Sequence, residues 1–258
     1  MKKLAHRGYS AKYPENTMEA FIKAYEQGFD GVETDVHLTL DDELVLIHDE
    51  KINRTSTGKG YVKDHTLKEL RNYNFNYKAY GEYPIPTLKE LLEFIQDKEF
   101  VVNIELKTDV IHYDGIEAKV LKLVKELGVE DKVYYSSFYL PTLLKIKELN
   151  PDAYVGYLME FKYKKKYQEL LENNILAFHP RYTFLNEKRV QELKQHNKII
   201  ATWTVPNGTW FGQMSFLGIP STQTNGVLQL VAVDLETTSS STTQIQRKMR
   251  ISKMAALS

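Results

Sequence analysis

The chain has 258 residues, 42% of them hydrophobic, which is enough for a sizeable core. Lys+Arg and Asp+Glu both number 34, for a formal net charge of +0, so no global field points to nucleic acid or an anionic membrane. With no cysteine, disulfides, zinc–thiolate sites and thiol nucleophiles are excluded.

The start, MKKLAHRG, has two lysines but no apolar stretch behind them, so no signal peptide is expected. No run approaches the roughly 18 apolar residues of a membrane helix. No integral membrane segment is therefore expected, and the chain reads as cytoplasmic.

A first strand is predicted over 3–6, ending on His6 with Arg7 next to it. A helix is predicted over 16–27, with Asn16 as cap, Glu19 answering it and Gly28 as stop. Strands follow over 31–38 and 43–48, the latter ending on a second histidine, His48. Residues 49–86 break the rhythm with RTSTGKG and YNFNYKAYGEYPIP, and a long excursion of this kind commonly covers a site. Helices over 66–72 and 87–97 lead to a strand over 100–106. Strands over 133–138, 153–159, 175–179 and 199–205 then alternate with helices over 115–127, 140–149, 164–173 and 186–197. A weak strand candidate covers 219–224.

Strands alternating with helices imply a parallel sheet, and seven or eight such units over about 225 residues favour a closed (β/α)8 TIM barrel. Nine strand candidates compete for eight places, so one is peripheral. The expected organisation is a barrel over 1–230, with 49–86 inserted after the third strand. A polar, disordered tail is expected over 231–258, where TTSSSTT precedes Arg247, Lys248, Arg250 and Lys253.

In VETDVHL, side chains alternate, so Glu33, Asp35 and His37 share one face. The two carboxylates lie roughly 6–7 Å apart along the strand. If buried, they repel until one takes a proton or both share a cation; an exposed edge strand is the plain alternative. In FVVNIELK the same rule puts Asn103, Glu105 and Lys107 on one face, at the strand end where barrel enzymes keep their sites. A buried Glu–Lys pair is the alternative there. Three carboxylates without cysteine suit Mg²⁺ or Ca²⁺.

His6 and His48 sit at analogous strand ends, where one can donate a proton while the other accepts one. His37, His65, His112, His179 and His196 lack such company. Arg7 and Lys107 bring two positive groups to the same mouth, which suits a phosphate diester. The run KYKKK at 162–166 reads as a solvated helix face, with anion attraction as the alternative. Trp203 reads equally as core, rim or substrate wall.

These motifs resemble the glycerophosphodiester phosphodiesterase family. AHRG (5–8), PENT (14–17), AF (20–21), GVETDVHLT (31–39), DELVLIHD (42–49), RTSTGKG (54–60), IPTLKELL (85–92), NIELK (103–107), SSF (136–138) and TWTV (202–205) occur in the family's order. The resemblance implies a TIM-barrel enzyme that cleaves glycerophosphodiesters to sn-glycerol 3-phosphate and an alcohol. It implies His6 and His48 as the acid/base pair, and Glu33, Asp35 and Glu105 as ligands of one divalent cation. It also implies Arg7 and Lys107 as phosphate ligands, and Trp203 beside the glycerol. In this family the substrate's own neighbouring hydroxyl is one proposed nucleophile, through a cyclic phosphate. The excursion corresponds to the family's variable insertion, which shapes the alcohol side.

The C-terminal fifth departs from the pattern: Pro206 follows TWTV, and GIPSTQTN (218–225) stands where the last strand is expected. The final strand and tail are thus atypical. The expected partner is a small glycerophosphodiester, not nucleic acid; the sequence leaves the oligomeric state open. Two rivals remain. One is a lysophospholipase D of the same superfamily, with Tyr73, Phe75, Tyr77, Tyr80 and Tyr83 as an apolar entrance. The other is a non-catalytic phosphodiester-binding barrel.

Overall fold

The computed structural model describes residues 2–76, 81–206 and 230–234. Its elements run β1 (Lys2–His6), α1 (Met18–Glu26), β2 (Gly31–Leu38), β3 (Leu44–Leu46), α2 (Leu67–Leu70), α3 (Leu88–Ile95), β4 (Val101–Leu106) and α4 (Ile116–Glu126). They continue with β5 (Val133–Ser137), α5 (Leu140–Leu149), β6 (Val155–Met159), α6 (Tyr163–Glu172), β7 (Ala177–Pro180), α7 (Glu187–Gln195), β8 (Ile199–Ile200), β9 (Thr202–Pro206) and β10 (Leu230–Asp234).

The pairing order β7-β6-β5-β4-β2-β1-β10-β9 is parallel throughout. At its far end β7 pairs with β8. β8 and β9 are two pieces of one stretch broken at Ala201, so 199–206 joins both ends of the sheet and closes a TIM barrel. The peripheral ninth strand is β3, which pairs antiparallel with the end of β2 and lies off the ring. It follows that the third strand in the chain, after which the excursion begins, is not a barrel stave.

The predicted 219–224 strand lies outside the described residues. The strand beside β1 is β10, in register Lys2↔Leu230 to Ala5↔Val233. Val231–Asp234 therefore belong to the sheet and not to the expected tail. The ladder from β10 to β9 shifts register between Val231 and Val233, so closure is irregular.

Alternation sorts each strand's two faces. Val32, Val36 and Leu38 of β2 and Val102, Ile104 and Leu106 of β4 pack outward into one core with Phe21 of α1 and Leu88, Leu91 and Leu92 of α3. Inside the ring, Leu4, Val101 and Ala201 form an apolar floor, with Tyr134 and Tyr154 against it. Glu33, Asp35 and Glu105 lie further along the same inward faces, towards the C-terminal mouth. Among the described residues, no helix is long and apolar enough to cross a membrane.

The excursion builds a small core of its own. Phe75 is buried with Val45, Ile47, Ile52, Val62, Leu70 and Ile85, and Tyr73 packs against them. These two aromatics therefore do not form the expected apolar entrance; Tyr77 and Tyr80 lie outside the described residues. Thr66 with Glu69, and Thr87 with Glu90, form capping boxes that start α2 and α3.

The start of α1 differs from expectation. Thr17 is the cap, its hydroxyl accepting from the Ala20 amide at 3.3 Å. Asn16 instead takes a left-handed φ of 54° and serves the site. Both roles favour asparagine, so sequence preference does not separate them. Gly28, at φ 77°, ends the helix as predicted.

Candidate active site

Strand register assembles the first layer of the site. His6 stands beside Glu33, and Asp35 beside Glu105, which brings the ends of β1 and β4 level with the middle of β2. Arg7 and Gly8 follow at φ 57° and 78°. Two consecutive left-handed residues turn the chain sharply, and a Cβ on Gly8 would lie 2.7 Å from Ala20 of α1. The turn leaves the Arg7 amide on Glu33, donating to its carbonyl (2.9 Å) and its carboxylate (3.2 Å). The Arg7 guanidinium returns over the mouth, with Nε 3.5 Å from Asp35.

Glu33, Asp35 and Glu105 are all buried, and one oxygen from each lies within 4.8 Å of the others. Lys107 Nζ donates to Glu105 at 2.9 Å and stands 4.0 Å from Asp35. His6 Nε2 is 3.9 Å from Glu33. Burial and the neighbouring Asp35 push the Glu33 carboxyl well above the usual range. Burial works the same way on Asp35, yet Arg7, His48 and Lys107 outweigh it and hold Asp35 low. Burial also opposes the Lys107 ammonium, but Glu105 and Asp35 overcome it and keep the group charged. Three buried carboxylates so close together are short of positive charge. Asp35 Oδ1, buried and without a hydrogen-bond partner, marks where a cation fits. Ligand atoms that are all oxygen match a hard divalent ion.

His48 lies two residues beyond the end of β3, not on a strand. Its Nδ1 meets Asp49 Oδ1 at 2.7 Å. Its carbonyl accepts from His37 Nε2 at 3.3 Å, while His37 Nδ1 accepts from the Tyr113 hydroxyl at 3.0 Å. Burial lowers the His37 pKa to about 4, so this ring is neutral and structural. His179 is also buried and neutral, its pKa lowered to about 3. It fits because Gly156 has no side chain: a Cβ there would lie 2.1 Å from His179 Nε2.

A cavity of about 580 Å³ opens at this mouth. It brings together His6, His48, Arg7, Glu33, Glu105, Lys107 and Trp203; Asp35 sits beneath, 1% exposed. Trp203 Nε1 donates to the His179 carbonyl at 2.8 Å, and its ring meets Phe138 edge-on at 5.6 Å. The indole is thus a fixed wall. Lys162 and Lys166, the two ends of the KYKKK run and one helical turn apart, also line the cavity, so the run is not simply a solvated face.

Several site residues escaped sequence reasoning. Asn16 Nδ2 donates to Asp35 Oδ2 at 2.9 Å, and its Oδ1 accepts from Thr34 at 2.8 Å. Glu15 accepts from Arg7 at 3.0 Å. Both belong to PENT, where the sequence suggests only a helix cap at Asn16. Arg54, in RTSTGKG, donates to both Glu15 and Asp49. The signal was the motifs themselves; their partners could not be read from a single sequence.

The fold has close counterparts among solved structures. A phosphodiesterase from Oleispira antarctica, solved in complex with the product sn-glycerol-3-phosphate, superposes with a TM-score of 0.79. It is 26% identical, and the match covers 91% of this chain and 93% of that one. Barrel and site together are those of a TIM-barrel phosphoric diester hydrolase.

Sequence comparison narrows the class. The profile described as "Glycerophosphoryl diester phosphodiesterase family" matches residues 6–223, and the chain belongs to that family. A glycerophosphodiester phosphodiesterase of Caldanaerobacter subterraneus subsp. tengcongensis is 41% identical over 206 residues, covering 78% of this chain and 84% of the relative. One from Bacillus altitudinis is 37% identical over 224 residues, covering 84% and 91%.

Proposed function

We propose that the chain hydrolyses glycerophosphodiesters to sn-glycerol 3-phosphate and an alcohol, with His6 and His48 as the proton-transfer pair. The observation that carries this reading is one cavity lined by both histidines, Arg7, Lys107, Glu33 and Glu105, with Asp35 completing the acid trio beneath it.

Arg7 and Lys107 hold the phosphate by charge, their geometry fixed by Asp35 and Glu105. Glu33, Asp35 and Glu105 would hold one divalent cation, Mg²⁺ or Ca²⁺. When bound, that ion neutralises phosphate charge and supports the displacement. One histidine takes the proton of the attacking hydroxyl as its oxygen bonds to phosphorus. The other gives a proton to the departing alcohol oxygen as its bond to phosphorus breaks. If the neighbouring glycerol hydroxyl attacks, water then opens the cyclic phosphate with the two roles exchanged. Trp203, pinned to the His179 carbonyl, forms an apolar wall for the glycerol.

A pure binding barrel has no need of a histidine pair beside the phosphate site. Phe161, 64% exposed on the cavity lip, favours a second reading, a lysophospholipase D. The purified chain is expected to cleave glycerophosphocholine with Mg²⁺ or Ca²⁺ and to stop on addition of EDTA. Cleavage of lysophosphatidylcholine alone would establish the second reading, and no cleavage of either would sink both.

A further inference from the structure

One side chain of the excursion reaches the surroundings of the site and is unused by the chemistry above. Arg54 Nε and NH2 donate to the two oxygens of Asp49 at 2.7 and 2.9 Å. Its NH1 and NH2 donate to the two oxygens of Glu15 at 2.8 and 2.7 Å. One guanidinium thus grips two carboxylates, each bidentately, a geometry that lysine cannot reproduce. Each carboxylate also reaches a site residue. Asp49 Oδ1 meets His48 Nδ1 at 2.7 Å, and Glu15 Oε1 accepts from Arg7 NH1 at 3.0 Å.

Burial works against the Asp49 charge, but His48 and Arg54 hold its pKa below the usual carboxylate range. Asp49 is therefore an acceptor only, and His48 Nδ1 must carry the hydrogen. That leaves Nε2 as the nitrogen for proton transfer. A carboxylate on Nδ1 fixes the tautomer and steadies the imidazolium that forms when Nε2 takes a proton.

The plain alternative is a surface salt bridge. Arg54 is 39% exposed, and exposed pairs contribute little to stability. Such a pair has no reason to end on the site at both sides. This one does, and the two ends come from separate segments, the β1–α1 loop and the loop after β3.

We propose that Arg54 is a positioning residue: through Asp49 it sets the His48 imidazole, and through Glu15 it holds the Arg7 guanidinium beside Asp35. This rests on the roles given to His48 and Arg7 above. It gives the excursion a part in the reaction.

The test uses the full chain with Asp49→Asn, Glu15→Gln, Arg54→Met and Arg54→Lys. It reads kcat and KM on glycerophosphocholine, thermal melting, and the ¹H–¹⁵N imidazole spectrum of His48, assigned by its loss in His48→Ala. Asp49→Asn should lower kcat about 10–100-fold, the weight of one hydrogen bond to a charged group. Glu15→Gln should act mainly on KM. Arg54→Met should do both, Arg54→Lys should recover part of the loss, and the Nδ1–H tautomer of His48 should lose population in Asp49→Asn and Arg54→Met. A folded Arg54→Met with unchanged kcat and KM, differing only in melting temperature, would overturn the proposal. So would a His48 tautomer indifferent to Asp49→Asn. A wild-type chain with no activity on glycerophosphocholine would refute the functional reading instead, and the imidazole spectra would still decide the positioning role.

Discussion

Replacing Asn16 tests whether the carboxylate trio is held in place from outside. Asn16 spends its amide on Asp35, its carbonyl on Thr34 and its backbone on a φ of 54°. Asn16→Ala removes a bond to a charged, buried carboxylate and leaves the Thr34 hydroxyl unsatisfied. It also puts a Cβ with no polar compensation into the left-handed region. The lost bond is worth about 1.5–3 kcal/mol and the backbone term about 1 kcal/mol, so about 2.5–4 kcal/mol in all. In a chain of this size that lowers the melting temperature by about 5–16 °C. Asn16→Gly separates the two contributions, since glycine accepts the left-handed backbone and still removes the amide. If Asp35 is oriented through Asn16, both variants should weaken divalent-ion binding about 10–100-fold by calorimetric titration. An Asn16→Gly protein that melts with the wild type and binds the ion equally well would refute this reasoning.

His6→Ala and His48→Ala should each abolish turnover while circular dichroism reports an intact fold; substantial activity in either would remove it from the proton-transfer pair. Glu105→Ala should chiefly weaken the metal requirement's affinity, raising the Mg²⁺ or Ca²⁺ concentration for half activity; an unchanged requirement would count against ligation. Acid should destabilise the fold partly through His179. Its folded pKa of about 3 lies below the ordinary value of 6.5, so below pH 6.5 the unfolded chain binds the proton and the folded chain does not. Stability then falls by about 1.4 kcal/mol per pH unit from 6.5 towards 3. In His179→Gln the slope of unfolding free energy between pH 6 and 4 should be shallower by that amount, and an unchanged slope would show that the ring titrates normally.

Much of this site was legible because it rests on a period of two. The alternation in VETDVHL and NIELK fixes which side chains face inward, and register then brings Asp35 beside Glu105. What could not be read depended on partners distant in sequence. An antiparallel β3 looks like a barrel strand until its pairing is known. Phe75 and Tyr73 look like an aromatic entrance until Ile52, Val62 and Leu70 fold over them. Asn16 satisfies both cap and left-handed preferences, and Lys162 and Lys166 belong to a helix whose beginning faces the mouth. Leu230–Asp234 carries only the four apolar residues LVAV beside a Ser/Thr-rich stretch, so its strand shows only through its pairing with β1.

The closure through 199–206 divides the molecule's labour between its halves. Every residue given a part in proton transfer, phosphate binding or metal ligation lies between His6 and Lys107, on β1, β2, β4 and the loops beside them. The staves from β5 onward contribute walls, lip and the tension of a closed hoop. Changes in the second half therefore act on the shape and durability of the vessel, while the reaction within it is inherited from the first. An unusual closing stave can be accommodated without rewriting the chemistry.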